Sequence, residues 1–136
     1  MGDEGGEIPV RLLIADDHAL VRQGLRGMLE REPDIEVVGE AHNGREAVDL
    51  CRALAPNLVL MDVRMPEMDG LEATRAIKRE RPEIEVLMVT MHDNKDYMQE
   101  ATKAGVAGYV LKDAPRDELI DAVRRIASPT ELNTAP

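Results

Sequence analysis

Five short apolar runs, separated by segments with helical periodicity, constrain the fold more than any other feature of this chain. Between and after the runs, apolar residues recur every three or four positions, as they do on one face of a helix. Short apolar strands that alternate with helices are typical of a parallel sheet that helices cover on both faces. The chain is therefore predicted to be an α/β protein. The apolar runs are residues 11–15, 35–39, 58–61, 86–89 and 109–111.

Several residues mark the predicted helix boundaries. Asn43 with Glu46 three positions later is a helix-start pattern, and Gly105 suits the left-handed position that follows a helix end. Gly24 and Gly27 in the first helix indicate close packing of that helix on the sheet. The predicted helix starts lie near His18, Asn43, Asp69, Asn94 and Pro115.

The length of 136 residues predicts one domain with its own core. We expect a flexible lead-in over residues 1–9, the domain over residues 10–127 and a linker or tail over residues 128–136. The chain has no Trp or Phe and only two Tyr, so the core is expected to consist of aliphatic side chains and Met.

The formal net charge of −10 excludes a general attraction to nucleic acid or to an anionic membrane, so any contact with DNA needs another domain. Cys51 is the only cysteine, which excludes an intramolecular disulfide, and its position predicts a buried thiol. No secretory leader and no membrane-spanning run is recognised. These features predict a soluble cytoplasmic protein.

Polar side chains follow four of the predicted strands. Asp16 and Asp17 follow the first, Asp62 ends the third, Thr90 ends the fourth and Lys112 ends the fifth. Because the carboxyl ends of parallel strands lie at one edge of the sheet, these side chains are expected to converge there. Three carboxylates in one crevice repel one another, and Lys112 supplies a single positive charge. A hard divalent cation resolves this repulsion, and Mg²⁺ suits a few carboxylates with water and a phosphate oxygen.

Each of these residues also has an ordinary interpretation. Asp62 can cap the turn after its strand, and Asp17 can cap the helix that begins near His18. Lys112 can be a solvated lysine at a strand end, and Thr90 a turn residue. Together, however, a nucleophilic carboxylate, a metal site, an ammonium and a hydroxyl are the groups that phosphoryl transfer requires.

The motifs that carry these residues resemble the receiver domain of two-component response regulators over residues 10–127. The sequence around these motifs is similar to that of the NarL/FixJ-type subfamily of transcription regulators. The resemblance implies a doubly wound, five-stranded CheY-like (βα)5 fold with strand order 2-1-3-4-5. The motifs are Asp16-Asp17-His18-Ala19-Leu20-Val21-Arg22, Leu60-Met61-Asp62-Val63-Arg64-Met65-Pro66 with Asp69-Gly70, Val89-Thr90, and Gly108-Tyr109-Val110-Leu111-Lys112-Asp113.

The resemblance also implies a phosphoacceptor and a metal site. Asp62 is the implied acceptor of a phosphoryl group from a phosphohistidine on a sensor histidine kinase. Asp17, Asp62 and the backbone carbonyl of Arg64 are the implied ligands of Mg²⁺ (or Mn²⁺). Asp16 is expected to assist through water.

Three further residues are implied to sense the phosphoryl group. Thr90 and Lys112 would bind its oxygens, and Tyr109 would change rotamer as Thr90 moves inward. Such a two-state switch is biased by contacts to the added phosphate. From the residues alone, Tyr109 is instead a packed core aromatic with its hydroxyl at the surface.

The implied output is transcription regulation by a helix-turn-helix DNA-binding domain that lies outside this chain. Phosphorylation is expected to promote a homodimer through helices of the second half, or through the first and last helices. The domain is expected to assist its own phosphorylation and dephosphorylation without being an enzyme. The alternative is a stand-alone phosphorelay receiver.

Two other classes of protein fit parts of this pattern. A flavin-binding module shares this sheet order, but the turn at residues 16–18 would repel the FMN phosphate. A phosphatase with an aspartyl intermediate usually has a second carboxylate two residues after the nucleophile, where this chain has Arg64.

Two details remain. Many receivers have a cis proline after the lysine, but Asp113 follows Lys112 here. We predict a trans bond before Asp113, because a cis bond would cost about 2.5–4 kcal/mol.

The spacing of His18, His42 and His92 fits no metal motif, so these are predicted to be surface or helix-start residues.

Overall fold

The computed structural model describes residues 9–91 and 95–127, in which five strands alternate with five helices as predicted. The strands are β1 (Val10–Ala15), β2 (Ile35–Ala41), β3 (Leu58–Asp62), β4 (Glu85–Thr90) and β5 (Gly108–Leu111). The helices are α1 (Ala19–Leu29), α2 (Gly44–Leu54), α3 (Gly70–Glu80), α4 (Lys95–Ala104) and α5 (Arg116–Ala127). The predictions for residues 1–8, for the tail over 128–136, for His92 and for a helix start at Asn94 lie outside the described residues.

The strands form one parallel sheet in the order β2-β1-β3-β4-β5, which confirms the predicted doubly wound topology. β2 is two residues longer than its apolar run predicts, because Glu40 and Ala41 continue the pairing beside Ile14 and Ala15. The register shifts between Leu12 and Leu13. Leu12 pairs with Val37 and Leu13 with Gly39, so β2 contains one extra residue at this point. All carboxyl ends lie at one edge of the sheet, where ligands bind in open α/β folds.

The core has two halves, one on each face of the sheet, because successive strand side chains point to opposite faces. On one face, Leu13, Val59 and Met61 pack with apolar residues of α2, α3 and α4. On the other face, Leu12 and Leu60 pack with apolar residues of α1 and α5. The absence of Phe and Trp is thus compatible with a continuous aliphatic core.

The predicted helix boundaries have clear physical causes. The side chain of Asn43 accepts a hydrogen bond from the Glu46 N–H at 2.8 Å and caps α2. Asp69 and Glu72 form a reciprocal capping box at the start of α3, so two backbone N–H groups there gain partners locally. Gly105 follows α4 with a φ of 106°, the left-handed conformation predicted for it.

One local prediction and one ordinary interpretation are wrong. A Cβ added to Gly24 or Gly27 would meet nothing within 4 Å, so these glycines lie on the exposed side of α1 and do not mediate close packing. The N-cap of α1 is His18, whose side chain makes no capping hydrogen bond, and Asp17 does not cap this helix. Asp17 is therefore left to another role.

The burial of Cys51 is as predicted, and burial raises the pKa of its thiol to about 12.

In the described residues, no helix combines the length and the apolar character needed to cross a bilayer. The longest of these helices, α5, has 12 residues and is amphipathic, with Leu119, Ile120, Val123 and Ile126 buried as predicted.

Candidate functional site

Asp62 ends β3 at the centre of the sheet, where strands flank it on both sides. Asp62 is only 7% exposed, and its Oδ1 accepts a hydrogen bond from the Val63 N–H at 2.8 Å. Because β3 lies between β1 and β4, Asp62 is close to the ends of both neighbouring strands. The central position of β3 thus explains why the residue at its end meets groups from the rest of the chain.

Lys112 joins the carboxylates at the ends of β1 and β3. Its Nζ lies 2.8 Å from Oδ2 of Asp16 and 3.3 Å from Oδ2 of Asp62, and its side chain is 12% exposed. The ordinary interpretation of Lys112 as a solvated lysine is therefore wrong. One ammonium serves two buried carboxylates, so the negative charge of the pair is only half compensated.

The protonation of this cluster reflects that imbalance. Burial, together with the charge of Asp16, raises the pKa of Asp62, and Lys112 opposes this shift. Burial alone would lower the pKa of Lys112, but its hydrogen bond to Asp16 and the charge of Asp62 outweigh burial and raise that pKa. An additional cation beside Asp62 would relieve the cost of ionising its carboxyl group.

Asp17 and His18 complete a group that could hold such a cation. One ligand atom from each of Asp16, Asp17, His18 and Asp62 can be chosen so that all four lie within 4.8 Å of one another. Asp16 is buried, whereas Asp17 and His18 are exposed, so the group opens to solvent on the α1 side. The carboxylate oxygens are donors that Mg²⁺ prefers.

His18 lies closer to the acidic residues than its spacing indicated. Its Nδ1 is 3.1 Å from Oδ1 of Asp17 and 3.3 Å from Oδ1 of Asp16, and its N–H donates to the same Asp16 oxygen. The prediction that His18 is an exposed helix-start residue is nevertheless confirmed, because its side chain is 66% exposed and it is the N-cap of α1.

The loop from β3 to α3 closes tightly against Asp62. The Gly70 N–H donates to the Val63 carbonyl at 2.7 Å, and a Cβ on Gly70 would lie 2.0 Å from the Asp62 carbonyl oxygen. Glu67 adopts a φ of 70°, a conformation that L residues rarely adopt. At the start of this turn, the Val63 N–H contacts the Asp62 carboxylate directly.

A cavity of about 230 Å³ opens above the sheet edge and brings several predicted residues together. Thr90, which is buried at the end of β4, lines it with Asp62 and Lys112. The convergence predicted for the ends of β3, β4 and β5 is therefore present. The remaining lining residues are His18, Val63, Arg64, Met91 and Tyr97.

Sequence reasoning missed Tyr97 and the orientation of the Arg64 side chain. The Arg64 guanidinium lies 5.8 Å from the centre of the Tyr97 ring, and its Nη2 donates to the Tyr97 hydroxyl at 3.1 Å. Tyr97 is on α4, 33 positions away, and follows no strand end. Its aromatic character within a polar helix was the only available signal.

Tyr109 lies outside the cavity that contains Asp62. It is 44% exposed, so the interpretation of a packed core aromatic is wrong. Tyr109 and Thr90 share a second, narrow cleft beneath α4. Tyr109 is thus placed between the site and the outer surface formed by α4 and β5.

The loop after Lys112 behaves as predicted. No cis peptide bond occurs among the residues that the structure describes, so the bond before Asp113 is trans. The Lys112 N–H donates to the Thr90 carbonyl at 2.7 Å, which extends the pairing of β4 and β5 to the site.

These features define a receiver fold with an acidic pocket, and comparison with known proteins identifies the family. Residues 12–124 match the family model described as the response regulator receiver domain. The chain therefore belongs to the response regulator receiver family. It is a receiver domain of the kind found in two-component transcription regulators.

The most informative relatives are bacterial regulators. The chain is 43% identical over 119 residues to the response regulator UvrY of Escherichia coli K12, covering 88% of this chain and 55% of UvrY. It is 38% identical over 127 residues to the transcriptional regulatory protein DegU of Brevibacillus brevis, covering 93% of this chain and 54% of DegU. The chain thus spans about half the length of these curated relatives.

Solved structures give the same result. The signal receiver domain of the response regulator NarL from Mycobacterium tuberculosis superposes with a TM-score of 0.85 at 37% identity, covering 88% of this chain and 97% of that domain. A LuxR-family response regulator from Aurantimonas sp. SI85-9A1 also has a TM-score of 0.85 at 37% identity, with 89% and 86% covered.

Proposed function

We propose that this receiver domain accepts a phosphoryl group on Asp62 from a phosphohistidine of a sensor histidine kinase. The observation that carries the proposal is the convergence of Asp62 with two further carboxylates and the Lys112 ammonium. A carboxylate oxygen of Asp62 attacks phosphorus, and the bond from phosphorus to the imidazole nitrogen breaks. With the other ring nitrogen protonated, the imidazole leaves as a neutral base that retains the electron pair, and the product is an acyl phosphate on Asp62.

Asp17, Asp62 and the backbone carbonyl of Arg64 are proposed to hold Mg²⁺ or Mn²⁺. Support comes from the oxygen donors gathered within 4.8 Å and from the incompletely compensated charge of the buried carboxylates. The ion, when bound, offsets charge on the carboxylates and on the incoming phosphoryl group. Asp16 is already engaged by Lys112, which supports an indirect role through water.

Phosphorylation is tested by incubating the chain with acetyl phosphate and Mg²⁺ and measuring the intact mass. We expect the unaltered chain to gain one phosphoryl group and Asp62→Asn to gain none, because the amide is a poor nucleophile. Asp49→Asn, an exposed carboxylate on α2 paired with Arg52, is the matched control and should be phosphorylated normally. Equal phosphorylation of the Asp62→Asn variant would contradict the proposal.

Thr90 and Lys112 are proposed to bind the phosphoryl oxygens, and Tyr109 to change rotamer as Thr90 moves. The shared cleft of Thr90 and Tyr109 supports this coupling, and Tyr109 is 44% exposed, so the core does not enclose its ring. Such a change propagates from the pocket to the surface formed by α4 and β5.

The switch predicts a change in tyrosine emission when Mg²⁺ and beryllofluoride are added together. The chain has two Tyr and no Trp, so Tyr97→Phe leaves Tyr109 as the sole fluorescent reporter. We expect the emission of Tyr97→Phe to respond and that of Tyr97→Phe/Asp62→Asn to remain constant. An unchanged signal in Tyr97→Phe, with beryllofluoride binding shown by calorimetry, would contradict the rotation of Tyr109.

The proposed output is transcription regulation through a helix-turn-helix DNA-binding domain outside this chain. The proposed location is the cytoplasm, where ATP is available to phosphorylate the sensor kinase. The names of DegU and other relatives support this output. A stand-alone phosphorelay receiver is the alternative. DNA binding by the full-length protein that increases with phosphorylation would support the first, and its absence the second.

Phosphorylation is also proposed to promote a homodimer through helices of the second half, or through α1 and α5. Sedimentation velocity should show a larger species after acetyl phosphate treatment of the unaltered chain. The Asp62→Asn variant should remain monomeric under the same conditions. A phosphorylated chain that sediments as a monomer at all concentrations tested would exclude this assembly.

The site favours an acceptor that assists only its own phosphorylation and dephosphorylation over an enzyme that turns over external phosphate esters. The residue two positions after Asp62 is Arg64, whose side chain donates to Tyr97, so it supplies no second acid. Turnover of a phosphomonoester by the isolated chain would contradict this assignment.

A further inference from the structure

Arg22, in the second turn of α1, is a buried charged residue that the phosphoacceptor site does not account for. It is only 8% exposed. Its Nη1 donates to the backbone carbonyl of Asp16 at 2.7 Å, and its Nε donates to Oε1 of Glu40 on β2 at 3.0 Å. The guanidinium therefore connects α1, β2 and the end of β1.

The Asp16 carbonyl is a sensitive point, because it belongs to the planar peptide unit that leads into Asp17. Rotation of this unit would reorient the Asp17 backbone and move its carboxylate. The N–H of Asp16 is held separately by the Ala41 carbonyl at 3.1 Å, as a continuation of the pairing between β1 and β2. Arg22 holds the next peptide unit, after the strand pairing has ended.

The side chain of Asp17 lacks comparable support from the core. Asp16 is held by Lys112 and by the His18 N–H, whereas Asp17 is exposed and pairs only with the exposed His18 ring among the contacts of the described residues. The orientation of Asp17 therefore depends on its backbone. This makes the peptide that Arg22 holds important for the position of the Asp17 carboxylate.

Glu40 keeps the buried guanidinium compensated and oriented. Its Oε1 accepts from Arg22, while its Oε2 accepts from Nη1 of Arg26, one helical turn further along α1, at 2.6 Å. The hydrogen bond from Arg26 is the largest cause of the lowered pKa of Glu40, so the carboxylate stays ionised. Arg26 shares the same acceptor but makes no contact with Asp16, so it offers a matched comparison.

We infer that Arg22 is a positioning residue for the metal site: by holding the peptide between Asp16 and Asp17, it orients the Asp17 carboxylate toward the cation. The inference rests on the proposed function, in which Asp17 is a direct ligand. Arg22 touches neither the cation nor the phosphoryl group and acts only through the backbone. Residues that orient metal ligands in this way typically change metal affinity about 10–100-fold when they are replaced.

The test is a calorimetric titration of Mg²⁺ into the unaltered chain and into Arg22→Gln, Arg22→Lys and Arg26→Gln. We expect Arg22→Gln to raise the Kd for Mg²⁺ about tenfold. Arg22→Lys should raise it about threefold, because an ammonium cannot reproduce the planar fork that serves Glu40 and the Asp16 carbonyl together. Arg26→Gln should leave the Kd within about twofold of the original, because Arg26 does not contact the peptide.

Urea unfolding in EDTA separates positioning from general stability. Both glutamine variants lose a hydrogen bond to Glu40 and should be destabilised, but only Arg22→Gln should bind Mg²⁺ more weakly. At saturating Mg²⁺, the phosphorylation rate of Arg22→Gln should recover toward that of the unaltered chain. If Arg22→Gln does not fold, Arg22→Lys carries the same comparison with Arg26→Gln.

Two results would overturn the inference alone. One is an unchanged Kd in both folded Arg22 variants, and the other is an equal loss of affinity in Arg26→Gln. Failure of the unaltered chain to bind Mg²⁺ would instead overturn the proposed metal site, and the inference with it.

Discussion

Replacement of Gly70 by alanine is expected to lower the free energy of unfolding by about 3 kcal/mol, because the new methyl group overlaps backbone atoms. The added Cβ would lie 2.0 Å from the carbonyl oxygen of Asp62 and 3.0 Å from its carbonyl carbon. These atoms belong to the central strand and cannot turn away as a flexible side chain can. Urea unfolding measures the loss, and phosphorylation by acetyl phosphate should also slow as β3 shifts.

Gly24→Ala is the matched control for this experiment. Gly24 lies within α1, and its added Cβ would meet nothing within 4 Å. We expect Gly24→Ala to raise the free energy of unfolding by roughly 0.5–1 kcal/mol, since alanine favours a helix interior. Opposite signs for the same substitution would confirm that the contact with Asp62 is the cause, whereas equal effects would contradict it.

Replacement of Lys112 by methionine is expected to lower the free energy of unfolding by about 3 kcal/mol at neutral pH in EDTA. The change leaves Asp16 and Asp62 buried together without their shared ammonium. Lys103→Met is the control, because Lys103 is 74% exposed and its pair with Glu100 at 3.8 Å should contribute little. Urea unfolding of both variants measures the difference.

The pH dependence of this effect has a defined sign. The pKa of Asp62 is already raised by burial and by Asp16, and removing Lys112 takes away the group that opposes this. A raised carboxyl pKa destabilises the folded chain above that pKa, and the cost disappears as the pH falls through it toward the unfolded value. Lys112→Met should therefore recover stability on acidification, relative to the unaltered chain.

A second substitution is expected to rescue the stability of Lys112→Met. Adding Asp62→Asn to Lys112→Met removes one of the two unpaired charges and should restore most of the lost stability. A Lys112→Met chain as stable as the unaltered chain across the pH range would show that the ammonium does not compensate Asp16 and Asp62. A double variant that is no more stable than Lys112→Met would contradict the assignment of the cost to their repulsion.

Much of the site was predictable because it depends on topology. Asp62, Thr90 and Lys112 are the last residues of their strands or directly follow them, so a parallel sheet brings them to one edge regardless of their separation in sequence. The order of the strands came from the family resemblance, since alternation alone leaves several arrangements possible.

Contacts that depend on side-chain direction were not predictable. Arg22 reaches back over the end of β1, and Tyr97 crosses from α4 to Arg64, but a helical pattern shows only which face is apolar. The glycines show the same limit. Gly70 packs against a backbone and Gly24 faces open space, although the letter is identical and only the three-dimensional neighbours differ.

The central claim is that the acidic residues, Thr90 and Lys112 form one site for a metal ion and a phosphoryl group on Asp62. A crystal structure grown with Mg²⁺ and beryllofluoride tests it most directly. The account predicts beryllofluoride on the Asp62 carboxylate, the cation bonded to Asp17, Asp62 and the Arg64 carbonyl, and fluorides contacting Thr90 and Lys112. Beryllofluoride on another carboxylate, or a cation bonded to neither Asp17 nor Asp62, would contradict it.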